Sequence, residues 1–265
     1  MYETKYHRAS SADEAVKLAD SADDGQFIAG GQTLIPTMKQ RLASPSDLVD
    51  IRNIDAMKGV NVEGNKVTIG ATTTHAEVAD APQLQAVCQG ISDLAGHIGD
   101  PAVRHMGTIG GSVANNDPAA DYPAALLALG AEITTNNRTI AADDFFVGMF
   151  ETALEDGELI TSVSFTVPDK SAYSKFPNPA SRYAMAGVFV AKGGDGVRVA
   201  VTGAGSDGVF RHSGMEEALD ANWSADAVAE ADVDEAMMLS DIHGNAAYRA
   251  NLVKVMAKRA VAAAG

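Results

Sequence analysis

Thr108-Ile-Gly-Gly-Ser-Val-Ala-Asn-Asn-Asp-Pro-Ala-Ala-Asp121 places a glycine pair, Gly110-Gly111, behind two β-branched residues and ahead of an apolar helix expected over Pro123 to Leu129. Adjacent glycines reach positive φ freely and put no Cβ between the main chain and a ligand. Their N–H groups can therefore converge on an anion as a backbone nest. A second stretch of the same character, Ala29-Gly30-Gly31-Gln32-Thr33-Leu34, follows the apolar Phe27-Ile28. Either pair alone reads as an ordinary turn. Two such loops, each at the end of a short strand, can grip two ends of one pyrophosphate.

Around these loops the sequence resembles the flavin-binding (medium) subunit of the molybdenum hydroxylases, the group that includes aerobic carbon monoxide dehydrogenase and the flavin domain of xanthine dehydrogenase. The family signature AGGxSLxPxMxxRL corresponds to AGGQTLIPTMKQRL at residues 29–42. The longer VRxxGTIGGNxAxxDPAxDxPAxLLALxA corresponds to VRHMGTIGGSVANNDPAADYPAALLALGA at 103–131. Further matches are LVDIRNI (48–54), IGATTTHAEVA (69–79), GMFETALEDGELITSV (148–163) and SDIHGNAAYR (240–249), so the resemblance covers nearly the whole chain.

The resemblance implies an α+β fold: a two-lobed FAD-binding unit of the vanillyl-alcohol-oxidase/PCMH type, then a C-terminal α/β domain of the carbon monoxide dehydrogenase flavoprotein type. The expected division is residues 1–55 and 56–170 for the two FAD subdomains and 171–265 for the C-terminal domain. By the same resemblance Ala29, Gly30, Gly31, Gln32, Thr33 and Leu34 hold the pyrophosphate through backbone N–H groups, with the Thr33 hydroxyl as a further donor. Thr108, Ile109, Gly110, Gly111 and Ser112 reach the other side of the cofactor; Ser112 stands where the family usually has asparagine. Asp121 corresponds to a carboxylate near the adenosine end, and its competing role is a helix N-cap.

Ile160 and Lys175 match positions lining the flavin site in xanthine dehydrogenase relatives. A cation near flavin N1 and O2 stabilises the reduced ring; the bland alternative for Lys175 is a solvated surface charge. Tyr183 matches a tyrosine covering the isoalloxazine, against the alternative of a half-buried strand residue. Ile98 matches an apolar contact or is plain core. No residue is assigned as a general acid or base.

The implied function is electron transfer within a larger enzyme. A large molybdopterin subunit and a small iron–sulfur subunit are the expected partners, with a quinone, cytochrome or NAD as external acceptor. Carbon monoxide is the first substrate expectation, from the DPAxRxMGTIGG context at 100–111; purines and other aromatic heterocycles are alternatives. A free-standing flavin oxidase is the other class of reading, but no catalytic base declares itself in the C-terminal part.

Composition bounds these readings. The chain has 265 residues, enough for a sizeable core, and its 20 basic against 35 acidic residues give a net charge of −15. That disfavours nucleic acid and anionic membranes, which select basic patches. No apolar run approaches a transmembrane span and no signal peptide is visible. Cys88 is the single cysteine, so this chain supplies neither a disulfide nor a cluster ligand set. The expected compartment is the cytoplasm, either free or at the inner face of the membrane through the complex.

Local signals complete the reading. Ser11 to Glu14 suggests a capping box, as does Ser213 to Glu216, and Thr74 should cap a helix over 75–79. One helix is expected across Gln83–His97, with Cys88 inside it, and helices are expected from Ser213 to the end. Tyr248, Leu252, Val255 and Met256 mark a face of the last one. The histidines lack metal-site spacing, so each is read as an ordinary structural residue. Gly203-Ala-Gly-Ser-Asp-Gly208 fits G-x-G-x-x-G, but no helix opens within it, so it is read as a turn.

Overall fold

The computed structural model describes residues 1–265, organised on three main sheets and one short hairpin. The first sheet is parallel, in the order β1-β3-β2, from β1 (Lys5–Arg8), β2 (Gly25–Ile28) and β3 (Asp47–Asp50). Helices α1 (Ala12–Asp20) and α2 (Leu34–Lys39) make its crossovers. Ser11 caps α1 by accepting from the Glu14 N–H. Glu14 turns instead to the N–H and hydroxyl of Ser10, so the box is only half formed.

The second unit begins with the hairpin β4 (Val60–Glu63) and β5 (Lys66–Gly70), followed by α3 (His75–Asp80). Thr74 and Glu77 cap α3 reciprocally, as the sequence suggests. The single helix expected over 83–97 is interrupted. Cys88 leaves helical geometry at φ −152, which separates α4 (Pro82–Gln85) from α5 (Gln89–Gly96). The chain continues through α6 (Pro101–Arg104), α7 (Ile109–Asn115) and α8 (Tyr122–Ala128), then β6 (Glu132–Thr135), β7 (Thr139–Ala141), α9 (Ala142–Phe145), the small hairpin β8 (Phe146–Gly148) and β9 (Glu151–Thr152), and β10 (Ile160–Thr166). The late strand β10 inserts between the early hairpin and the β6–β7 pair, giving the order β4-β5-β10-β6-β7.

The third sheet, β11-β12-β13-β14, is antiparallel throughout: β11 (Lys170–Pro177), β12 (Ala184–Gly193), β13 (Gly196–Thr202) and β14 (Phe210–Arg211). Its period of two assigns alternate residues to two cores. Val188, Val190, Val199 and Val201 pack with residues of α10 (Ser213–Ala221) and α11 (Ala246–Ala264). Phe189, Ala191, Ala200 and Tyr173 face the other way and join the larger core, which also holds the buried residues of the first two sheets. β12 is buried on both faces, which is why it reads as one apolar run.

The G-x-G-x-x-G segment lies between β13 and its antiparallel neighbour β14, so it is a turn as read. His212, rather than Ser213, caps α10 by accepting from the Met215 N–H; Glu216 bonds the Val199 N–H and Arg211. Between α10 and α11 the chain is mostly turns and one 3-10 helix, so the stretch from Ser213 to the end is not helical throughout as expected. The buried face of α11 shares Leu252 and Met256 with the face read from spacing, and Val255 packs beside them half-buried. That face runs through Arg249, Leu252, Val253, Met256 and Ala260, while Tyr248 is exposed. No helix is long and apolar enough to cross a membrane.

One buried charge ties the β6–β7 turn to the 155–158 turn. Glu158, with a fully buried side chain, accepts from Arg138 Nε at 3.0 Å and from the Thr135 hydroxyl at 2.7 Å. The Arg138 guanidinium holds its carboxyl down at about 2. A carboxyl depressed on folding contributes stability above its unfolded value, near 4.5, and loses it as pH falls toward 2. Glu158→Gln is expected to lower stability at pH 7 by on the order of 2–3 kcal/mol. It should also flatten the fall in melting temperature between pH 4.5 and the acid limit, measured by circular dichroism across that range.

Candidate functional site

The two glycine stretches meet in space. A Cβ on Gly30 would lie 2.1 Å from the Met106 carbonyl oxygen and 2.7 Å from Gly107 Cα, so only glycine permits this approach of the two backbones. Next to it Gly31 sits at φ +67, in the left-handed region. Together they turn the chain so that no N–H from Ala29 to Leu34 donates to a backbone carbonyl. Such a row of unspent amides at the start of α2 is an anion-binding concavity. The Thr33 side chain leaves its helix uncapped as well.

The second stretch is built differently from the loop expected. Thr108 is the N-cap of α7, and the glycines lie within that helix's first turn. The amides from Ile109 to Ser112 already have acceptors: Ile109 donates to Thr73, Gly110 to Ala71 at 2.8 Å, Gly111 to the Thr108 hydroxyl and Ser112 to the Thr108 carbonyl. Gly110 is required for packing, since a Cβ would lie 2.6 Å from that of Ala71. Gly111 has ordinary backbone geometry and meets only Thr108 Oγ1, at 3.1 Å. The stretch supplies a wall and a rigid neighbour, not a second nest.

Between them opens a cleft of about 680 Å³, within the usual size for a cofactor pocket. Ala29 to Leu34 line it, as do Thr108, Gly111, Ser112, Ile98, Asp121 and Tyr183. Ile109, Gly110, Ile160 and Lys175 do not. Ile109 and Ile160 belong to the larger core, Ile160 from the first position of β10. Tyr183 is 50% exposed, just ahead of β12 on the loop from β11.

Asp121 does not cap α8 with its side chain. Its carboxylate is buried and takes hydrogen bonds from the Tyr173 hydroxyl and from Lys175 Nζ, the latter at 3.0 Å. Lys175 is thus no surface charge: its side chain is 4% exposed and also donates to the His97 carbonyl. Burial pushes the Asp121 carboxyl up, and the Lys175 ammonium draws it back down. The pair joins β11 of the third sheet to the wall of the cleft.

His75 is a lining residue that sequence reading passed over as structural. Burial and the Arg104 guanidinium lower it to about 4, so it faces the cleft as a neutral ring. The backbone N–H of His75 donates to the Gly107 carbonyl at 2.9 Å, holding that strap in place. Gly107 and Arg182 also line the cleft and were not singled out. Gly107 carried a usable signal, since it stands within the same glycine-rich motif. Arg182 carried none: it reaches the site through the β11–β12 loop, and its guanidinium donates to Gly99 across the cleft mouth.

A cleft with a row of free amides at one end, and with its buried Asp121 carboxylate paired to Lys175, suits an elongated cofactor that carries phosphate. Comparison with known proteins gives the family. Residues 2–169 match the family described as the FAD binding domain in molybdopterin dehydrogenase. The chain is 34% identical over 98% of its length to the nicotine 6-hydroxylase medium subunit of Paenarthrobacter nicotinovorans, covering 97% of that protein. It is 36% identical over 97% of its length to the carbon monoxide dehydrogenase medium chain of Afipia carboxidovorans, covering 94% of it. The solved Cu,Mo-CO dehydrogenase contains a chain that superimposes with a TM-score of 0.89 at 36% identity, over 98% of this chain and 97% of that one. The chain belongs to the FAD-binding subunits of the molybdenum hydroxylases; it is an oxidoreductase subunit, and FAD is its cofactor. The expected α+β flavoprotein fold is the one observed.

The two glycine stretches therefore tolerate substitution unequally. Gly30→Ala must push the nest off the Met106–Gly107 backbone. The loss of two charge-assisted N–H contacts costs roughly 3 kcal/mol, about a hundredfold in FAD affinity. Gly111→Ala meets one hydroxyl and should keep FAD at near wild-type stoichiometry. The ratio of flavin to protein absorbance in the two purified variants, with circular dichroism to confirm folding, checks the contrast.

Proposed function

We propose that the chain carries electrons from iron–sulfur clusters on a partner subunit, through FAD, to an external acceptor. The observation that carries this reading is the row of unspent amides from Ala29 to Leu34, held against the second glycine stretch by Gly30. In this assignment those amides and the free Thr33 hydroxyl hold the pyrophosphate. Thr108, Gly111 and Ser112 bound the far wall, with Ile109 and Gly110 acting from behind as packing.

Asp121 faces the cofactor, and Lys175 acts through it: the buried ammonium fixes the carboxylate and sets the local charge. Tyr183 and Ile98 flank the flavin from opposite sides of the mouth, and Ile160 supports the lobe from its core. His75, neutral at physiological pH, contributes shape and no charge. FAD, when bound, supplies the redox chemistry; the protein supplies position and electrostatics.

The division at residues 55 and 170 is assigned on the same footing, because the breaks between the three sheets fall there. Partners follow from what the chain lacks in its own sequence. Its one cysteine, Cys88, is buried, and its thiol contacts Ser171. Clusters held by several thiolates must sit on another subunit. The expected set is a large molybdopterin subunit and a small iron–sulfur subunit, in the reducing cytoplasm. The relatives are named for nicotine and carbon monoxide at similar identity, so substrate choice is assigned to the partners rather than to this chain.

The protein purified with its natural partners should release one FAD per copy of this chain. After flavin removal it should rebind FAD at least tenfold more tightly than FMN, which lacks the second phosphate. Equal affinity for the two would remove the pyrophosphate assignment. The isolated chain should oxidise no hydroxylase substrate. Turnover by the chain alone would overturn the subunit reading in favour of a free-standing oxidase.

A further inference from the structure

The β8–β9 hairpin ends in a turn that no packing requirement explains. Phe150 adopts φ +57, a conformation that a bulky L residue occupies only against strain. Its ring nevertheless joins neither core: Phe150 is 63% exposed, with Val147 at 59% and Met149 at 47% beside it. Glycine would relax the backbone and a polar residue would suit the solvent. The sequence holds neither.

The tip is also held rigidly. Asn116 donates its side-chain N–H groups to the Gly148 and Glu151 carbonyls, each at 2.9 Å, and accepts from the Phe150 N–H at 3.0 Å. Phe145 and Phe146 root the hairpin edge to face. Asn115 and Asp117, the neighbours of Asn116 on either side, line the FAD cleft. A rigid apolar projection one residue from the cofactor site is preorganised for contact.

Its surroundings define what fits. Asp144 and Glu151 flank the tip in sequence, and Asp207 stands on the turn packed beside it, where a Cβ added to Gly208 would lie 3.7 Å from the Gly148 and Met149 backbone. All three carboxylates are exposed. A second copy of this chain would present the same acidic rim and be repelled. A transient redox encounter uses a small and polar surface. Exposed, strained apolar side chains suit a lasting, desolvated interface.

We propose that Val147, Met149 and Phe150 seat this chain in an apolar socket, rimmed by lysine or arginine, on another subunit of its complex. This rests on the subunit reading given above. The hairpin is the anchor and the acidic rim sets its orientation. Because Asn116 joins the anchor to the cleft wall, seating the tip also steadies the segment beside FAD.

The test uses the affinity-tagged chain recovered with its native partners. Phe150→Gly relieves the backbone, so the variant chain should melt no lower than wild type. Partner recovery should nevertheless fall at least about tenfold, the scale of a lost interface hot spot. Val147→Ser with Met149→Ser should act alike, and Asp144→Asn with Asp207→Asn should weaken association most at low salt. Ile242→Ser, at a residue 96% exposed outside the hairpin, serves as the control and should change nothing. Full partner recovery by folded Phe150→Gly and Val147→Ser/Met149→Ser proteins would overturn the proposal while leaving the subunit reading intact. A wild-type chain that recovers no partner would overturn both.

Discussion

The approach of Gly30 to the Met106–Gly107 peptide is the contact on which the site depends. With 2.1 Å between a would-be Cβ and the Met106 oxygen, the first lobe can dock on the second only through a bare backbone. That docking places the unspent amides of Ala29 to Leu34 at one end of the cleft, and it sets the cleft's width. The same strap is held from its other side by His75, whose backbone bonds Gly107, and by the bridge between Thr74 and Thr108. The reciprocal cap of α3 therefore serves the site as well as its own helix.

The two glycine motifs look alike in one-letter code and do different physical work. In the first, positive φ at Gly31 frees N–H groups for an anion. In the second, Gly110 lets α7 lie against Ala71, and its amides are consumed in doing so. A glycine pair states that a side chain is unwelcome; only the neighbours tell whether a ligand, a backbone or a packed helix is the reason. Gly111, open on nearly every side, shows that membership in a motif does not by itself make a position strict.

Legibility followed the range of the interactions. The long glycine signatures and the apolar runs of α8 and β12 were readable because local pattern and burial agree there. β1 was missed because Lys5-Tyr-His-Arg8 has no apolar alternation; its order comes from pairing with β3. β11 was passed over for the same reason, being mixed in character until β12 lies beside it. The break at Cys88 was invisible, since residues 83–97 carry helical spacing throughout. The ion pair of Asp121 with Lys175 spans 54 positions, and no local rule reaches that far. His212 took over as the cap of α10 because its ring nitrogen was already placed there by β14.

That Asp121–Lys175 pair has a consequence for how such chains diverge. Both charges are out of water, so replacing one alone strands the other, at roughly 3–5 kcal/mol. Two apolar residues of matching shape would fit nearly as well, but every single-step route to them passes through a chain that has lost a large share of a typical domain's stability of about 5–15 kcal/mol. The third sheet and the cofactor lobe are thereby bound in descent as well as in space. Neither can be exchanged for a distant relative's version unless its half of the pair finds a match on arrival.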